Sequence, residues 1–158
     1  IAKENNVKHF ALSFTNSVED VRYFNNLLKG HKKIFKIETK SALKNLNSIL
    51  NLCDSIIIDR GDLSKDIDLF QVPIAQRKIQ SLARKKNKKV YIATNLLESM
   101  IHYAYPTRAE LNDIYNCLEL GANGLVLAAE TAIGKWPLTC VEILSSMIKK
   151  FKNKSIKI

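Results

Sequence analysis

Apolar and polar positions along the chain alternate in blocks, and each block has the length of one strand or one helix. An apolar run at residues 8–14 (KHFALSF) precedes an amphipathic segment at 18–29. KIFKIE at 33–38 follows, then a helical stretch over 43–52. SIIID at 55–59 leads through a loop to a long helix over about 72–86. VYIAT at 90–94 is followed by LLESMI, a loop containing Pro106 and a helix over 109–120. GLVLA at 124–128 is the last strand-like run, and Pro137 suits the first turn of a closing helix.

Short β-rich runs in alternation with helices predict repeated βα units on a parallel sheet, an α/β fold. The runs are apolar on both faces, as strands covered by helices on one side and another layer on the other should be. Two closures fit the pattern: an open doubly wound sheet and part of a (β/α)8 TIM barrel. No Gly-rich phosphate loop follows the first run, which counts against a dinucleotide-binding sheet. Polar groups cluster at or just beyond the carboxyl ends of the runs: Ser13, Lys36, Glu38, Asp62, Thr94 and Glu130. A barrel builds its active site from these ends. The expected architecture is therefore a partial TIM barrel of about five parallel βα units, in one domain spanning 1–158.

Composition narrows the class without changing this picture. The chain has 158 residues and is 46% hydrophobic, with only 5 Gly and 3 Pro, which fits a globular domain and argues against disorder. No apolar run is long enough to cross a bilayer, so no membrane association is expected. Cys53, Cys117 and Cys140 are widely spaced and form no CxxC pair, which reads as reduced core cysteines of a cytoplasmic protein. The net charge of +10 is concentrated in KKNKK at 85–89 and in the lysine-rich tail at 149–158. Those lysines are not interleaved with aromatics and match no nucleic-acid-binding motif, so they read as solvated faces and no nucleic acid is expected as a partner.

The chemistry lies at the strand ends. Lys36 and Glu38 are two apart on one strand, so their side chains share a face. Alone they are read most simply as an ion pair. Asp62, just past the next strand, adds a second carboxylate, with Gly61 beside it to let the backbone turn. Two carboxylates and a lysine at adjacent strand ends form an oxygen-ligand site for Mg²⁺ or Mn²⁺ with a fixed cation alongside. Such a site suits an anionic substrate that gains charge as it reacts, an enolate or a phosphoryl group in transfer.

Five segments then carry a resemblance: KIET, DRGDLS, ATNLLESMI, PTRAE and GANGLVLAAETAIGKWPL. In order and in spacing they resemble consecutive motifs of the pyruvate kinase family, over almost the whole chain. The resemblance implies Mg²⁺-dependent phosphoryl transfer from phosphoenolpyruvate to ADP, giving pyruvate and ATP. It assigns Lys36 to the phosphoryl group in flight and makes Glu38 and Asp62 the ligands of Mg²⁺ or Mn²⁺. The Gly61 and Asp62 backbone amides match the donors to the substrate carboxylate, and Ser13 matches a serine lining the same mouth. Thr94 matches the threonine near the methyl carbon of enolpyruvate.

The same resemblance places the chain in the carboxyl-terminal part of the family's barrel domain, from the helix before the fourth strand to beyond the eighth. The lid and regulatory domains are expected to be absent. The family's nucleotide contacts and K⁺ site fall largely in the uncovered parts, so ADP is expected as a partner only together with them, and this chain alone is expected to be inactive. The open edges of five strands predict a homo-oligomer or a complementary barrel segment. Local departures from the family pattern are Thr15-Asn16, Asp59 where a small residue is typical, Ser64, Asn95 and Ala128-Ala129. Two other readings stay open: the carboxylate pair and the GDLS loop also resemble those of a metal-dependent lyase or aldolase acting on a pyruvate enolate, and the altered residues around Thr94 and Glu130 suit a non-catalytic assembly module. Glu98, Met100, Trp136 and the segment from Pro106 to Glu110 read as supporting structure. His9, His31 and His102 lack ligand spacing.

Overall fold

A computed structural model of the chain describes residues 4–153. Parallel strands alternate with helices, as the block pattern predicts, and the chain forms two compact units, one ending at Tyr91 and the other beginning at Ile92.

The first unit contains β1 (His9–Leu12), α1 (Val18–Leu27), β2 (Lys32–Ile37), α2 (Lys40–Lys44), α3 (Leu46–Asn51) and β3 (Ser55–Asp59). After these come α4 (Arg60–Asp66), a 3-10 turn at Leu69–Gln71, α5 (Val72–Lys85) and the start of β4 (Lys89–Ala93). β1 and β2 pair in parallel with Ala11 opposite Ile34, and β2 and β3 with Lys36 opposite Ile57. The Lys89 N–H donates to the Asp54 carbonyl at 2.9 Å, which ties β4 to the entry of β3.

Period-two alternation divides the sheet into two faces. Phe35, Ile37, Ile56 and Ile58 point one way and are buried, as are Val21, Phe24, Ile49, Leu50 and Ile79 of the helices. The Phe24 and Phe35 rings meet edge to face at 5.7 Å. Each such aliphatic side chain contributes roughly 1.5–3 kcal/mol when fully buried, so this layer holds the strands in place. Ile34, Lys36 and Ile57 lie on the other face and are only half-buried. Position 36 is therefore on the open face.

Two local structures differ from the sequence expectation. The helical stretch over 43–52 is two short helices with Asn45 between them. Thr39 starts α2 early by accepting the Ala42 N–H, and the Asn45 side chain donates to the Asn16 carbonyl instead of continuing a helix. The expected loop after SIIID is replaced by α4, which begins directly at Arg60 with Asp59 as its N-cap. Gly61 is inside that helix, not in the left-handed region, so the sharp turn expected of it does not occur.

The second unit holds the end of β4, a 3-10 turn at Glu98–Ile101, α6 (Arg108–Glu119), β5 (Gly124–Val126), α7 (Ala129–Ala132) and α8 (Pro137–Asn153). The Thr94 N–H donates to the Val126 carbonyl at 3.3 Å, just beyond β4. Leu96, Leu97, Met100, Ile114, Cys117, Cys140 and Leu144 form its core. Pro137 opens α8, as expected, and Tyr115 of α6 meets Phe151 of α8 edge to face at 5.3 Å. β5 is shorter than the run at 124–128 because the backbone turns at Ala128, whose N–H is taken by Glu130 Oε2 at 3.0 Å.

Cys53, Cys117 and Cys140 are buried and form no disulfide among the described residues. No helix among the described residues is long and apolar enough to cross a membrane. The end of the lysine-rich tail, 154–158, lies outside the described residues.

Candidate active site

β2 carries Lys36 near its end and Glu38 one residue past it, on the open face. Lys36 Nζ lies 2.8 Å from Glu38 Oε2 and 2.9 Å from Asp59 Oδ2. Asp59 reaches the lysine because it ends β3 two residues beyond Ile57, which is paired with Lys36, so period two returns it to the same face. Burial acts to pull the Lys36 ammonium down, but Glu38 and Asp59 outweigh it and hold the group above its ordinary 10.5. Lys36 is accordingly charged at any physiological pH.

Glu38 is fixed from the other side as well. Its Oε1 accepts the Phe14 N–H at 2.5 Å, from the backbone just after β1, where Phe14 has a left-handed φ of 51°. Its Oε2 is fully buried and has no hydrogen-bond partner, so the approach to Lys36 is an ion pair without hydrogen-bond alignment. A buried carboxylate oxygen in that condition is costly unless positive charge compensates it.

Asp59 has two engagements. Oδ2 faces Lys36, and Oδ1 accepts the Asp62 N–H at 3.3 Å, capping α4. The Asp62 side chain pairs with Lys65 at 2.8 Å, and chiefly this lysine holds the Asp62 carboxyl below the ordinary 3.8. Lys65 itself is largely exposed, so that pair is screened and easily exchanged.

Glu38, Asp59 and Asp62 each offer one carboxylate oxygen, and these atoms lie within 4.8 Å of one another. Hard oxygen donors at this density, one of them buried without a hydrogen bond, fit Mg²⁺ or Mn²⁺. The residues at the site therefore suit the divalent cation that the sequence implies.

The structure thus brings Lys36, Glu38 and Asp62 together. Ser13 is exposed just after β1. The Asp62 amide, expected to hold a substrate carboxylate, is engaged by Asp59, so an incoming anion has to displace that cap. Asp59 is the group missed as a participant. Only the register of β2 against β3 puts this acid on the lysine's own face.

Thr94 lies in the second unit, at the carboxyl end of β4. It has φ +69°, and Asn95 follows at +52°. A β-branched residue with positive φ is a genuine outlier. The Thr94 hydroxyl donates to the Ala93 carbonyl at 2.6 Å, and Asn95 Nδ2 donates to Glu98 Oε2 at 2.7 Å. Glu130, buried in the same unit, accepts the Leu97 and Ala128 N–H groups.

The PTRAE segment is a capping box. Thr107 Oγ1 accepts the Glu110 N–H and the Glu110 carboxylate accepts the Thr107 N–H. The same carboxylate takes the Ser99 N–H at 2.8 Å and the Ser99 hydroxyl at 2.6 Å, so it ties the 3-10 turn to α6.

A family profile described as pyruvate kinase, barrel domain, matches residues 1–141. A pyruvate kinase of Thermotoga maritima is 44% identical over 94% of this chain and 33% of its own length. A pyruvate kinase of Methanocaldococcus jannaschii is 36% identical over 94% of the chain and 34% of its own length. Plastidial pyruvate kinase 3 of Arabidopsis thaliana is 38% identical over 91% of the chain and 26% of its own length. The chain therefore spans about a quarter to a third of the length of these relatives.

Proposed function

The chain belongs to the pyruvate kinase family, and from that premise we propose that it is the enolpyruvate-handling part of a phosphotransferase. The reaction is transfer of the phosphoryl group of phosphoenolpyruvate to ADP, giving pyruvate and ATP. The observation that carries this reading is Lys36 held between Glu38 and Asp59, beside a third carboxylate, Asp62.

In this reading Glu38 and Asp62 hold Mg²⁺ or Mn²⁺, with Asp59 beside them. When bound, the ion neutralises charge and aligns the oxygens of the substrate. Lys36 presents a protonated ammonium to the phosphoryl oxygens from its position beside Glu38 and Asp59. A charge fixed in advance stabilises a developing anion without reorganisation at the moment of reaction. Thr94, in the second unit, is assigned to proton delivery at the methyl carbon of the enolate, and Ser13 to the substrate-binding mouth. The Gly61–Asp62 backbone is assigned to the substrate carboxylate once the Asp59 cap yields. ADP, K⁺ and a partner segment or second copy belong to the reading as contributions from outside this chain, and the cytoplasm is the proposed location.

Calorimetric titration of oxalate, a mimic of the enolate, tests it. Oxalate is expected to bind when Mg²⁺ is present and not in its absence. Asp62→Ala should abolish the binding and Lys36→Met should weaken it. A folded protein that takes no oxalate at millimolar Mg²⁺ overturns the reading and favours a non-catalytic assembly module.

A further inference from the structure

The site holds one acid more than the family resemblance assigns to the cation. We propose that Asp59 is a third carboxylate ligand of the divalent-cation site, so that the protein holds the cation before any anionic substrate arrives. The proposal rests on the reading of Glu38 and Asp62 as cation ligands and extends it to a residue where the family typically has a small side chain.

Three observations support it. Asp59 offers an oxygen within 4.8 Å of those of Glu38 and Asp62. Its side chain is only 10% exposed, and it turns Oδ2 inward to Lys36 at 2.9 Å. Glu38 Oε2, fully buried, has no hydrogen-bond partner. Glu38 and Asp59 both approach the Lys36 ammonium, and Asp62 pairs with the exposed Lys65. A buried carboxylate oxygen that accepts no hydrogen bond is stabilised by a cation placed against it.

Mg²⁺ bound by only one or two carboxylates takes most of its remaining coordination from substrate oxygens and water. A third carboxylate moves part of that work from the substrate to the protein. Lys36 then has a second role: with no cation present, its ammonium sits against the oxygens the cation uses. Lys36 and the divalent cation compete for Glu38 and Asp59.

The experiment is a Mn²⁺ titration of the protein followed by electron paramagnetic resonance, without oxalate or any substrate. Asp59→Asn is the informative variant, because asparagine keeps the size and caps a helix as well as aspartate does. It should weaken Mn²⁺ by about tenfold or more, the scale on which even residues supporting metal ligands act. Lys36→Met should tighten Mn²⁺, and Asp59→Asn should still weaken it in the Lys36→Met background, which excludes an effect passed through the lysine. A thermal melt of each variant confirms the fold. If wild type and Asp59→Asn bind Mn²⁺ equally, Asp59 is only a helix cap and lysine partner; the proposal falls and the Glu38–Asp62 reading stands. If wild type takes no Mn²⁺ at millimolar concentration, both fall.

Discussion

Lys36 and Glu38 leave β2 on the same face, with Nζ and Oε2 2.8 Å apart and the carboxylate pinned on its far side by the Phe14 N–H. The lysine cannot be read apart from its acids. Its charge is held by them, and their burial is tolerable because of it.

A dependence on alkaline pH follows. The folded-state pKa of Lys36 is raised above 10.5, so the stability it contributes is fully present below that value. It is lost as pH rises through the folded-state pKa. Urea melts of wild type should weaken above about pH 10.5, whereas Lys36→Met should lack that part of the decline. Parallel alkaline profiles for the two proteins would refute the assignment.

Glu38→Gln separates charge from scaffold. The glutamine oxygen can still accept the Phe14 N–H, while its amide faces Lys36 where Oε2 stood, so the fold should persist with a lowered melting temperature. Mg²⁺-dependent oxalate binding should fall at least about tenfold, because an anionic oxygen ligand is gone. Calorimetry beside a melt reads both, and unchanged oxalate affinity would remove Glu38 from the site.

Glu110 gives the corresponding acid-side prediction in the second unit. Burial raises its carboxyl pKa, but hydrogen bonds from Ser99 and Thr107 outweigh this and hold it below the ordinary 4.5. Its stabilisation is therefore present above that value and is lost as pH falls through the folded-state pKa. Glu110→Ala should cost about 2–3 kcal/mol at pH 7, the sum expected of a lost cap and bonds to a charged group. The difference from wild type should shrink at pH 3. Trp136, the sole tryptophan, reports unfolding of this unit by fluorescence.

Gly134 closes the turn after α7. A Cβ there would meet the Glu130 carbonyl oxygen at 2.2 Å and its carbon at 3.0 Å, both backbone atoms that no rotamer change can move aside. Gly134→Ala should destabilise by about 2–3 kcal/mol or more, on the scale of overpacking that shifts backbone. The same fluorescence melt measures it, and a wild-type midpoint would show that the turn relaxes freely.

What was legible in the sequence follows physical periodicity. The strands at 33–38, 55–59 and 90–94 appear within a residue of their expected positions because apolar runs between helices signal burial directly. Lys36 and Glu38 share a face by period two, and Asp62 joins them as expected. The break at Asn45 and the immediate start of α4 at Arg60 were hidden because each depends on a side chain capping backbone at close range. In the sequence Asp59 stands out only as a departure from the family pattern. Its role depends on inter-strand register, which one strand's own sequence does not contain.

Thr94 offers the sharpest contrast between stability and function. Its φ of +69° places a β-branched side chain in the left-handed region, a strain of about 1–2 kcal/mol for an ordinary L-residue. Asparagine tolerates that region, so Thr94→Asn should stabilise the second unit by roughly 0.5–1 kcal/mol. If the strain serves to aim the hydroxyl, the same variant should slow Mg²⁺-dependent exchange of pyruvate methyl protons with D₂O. The expected factor is about a hundred, the lower range for loss of a positioned proton-transfer group. Thr94→Ser, which keeps the hydroxyl and drops the branching methyl, should retain most of the exchange while gaining part of the stability. A melt and a proton NMR exchange series on the three proteins test this together. Stability gained with exchange retained in Thr94→Asn would mean that the left-handed turn serves the backbone alone, and Thr94 would then leave the list of catalytic residues.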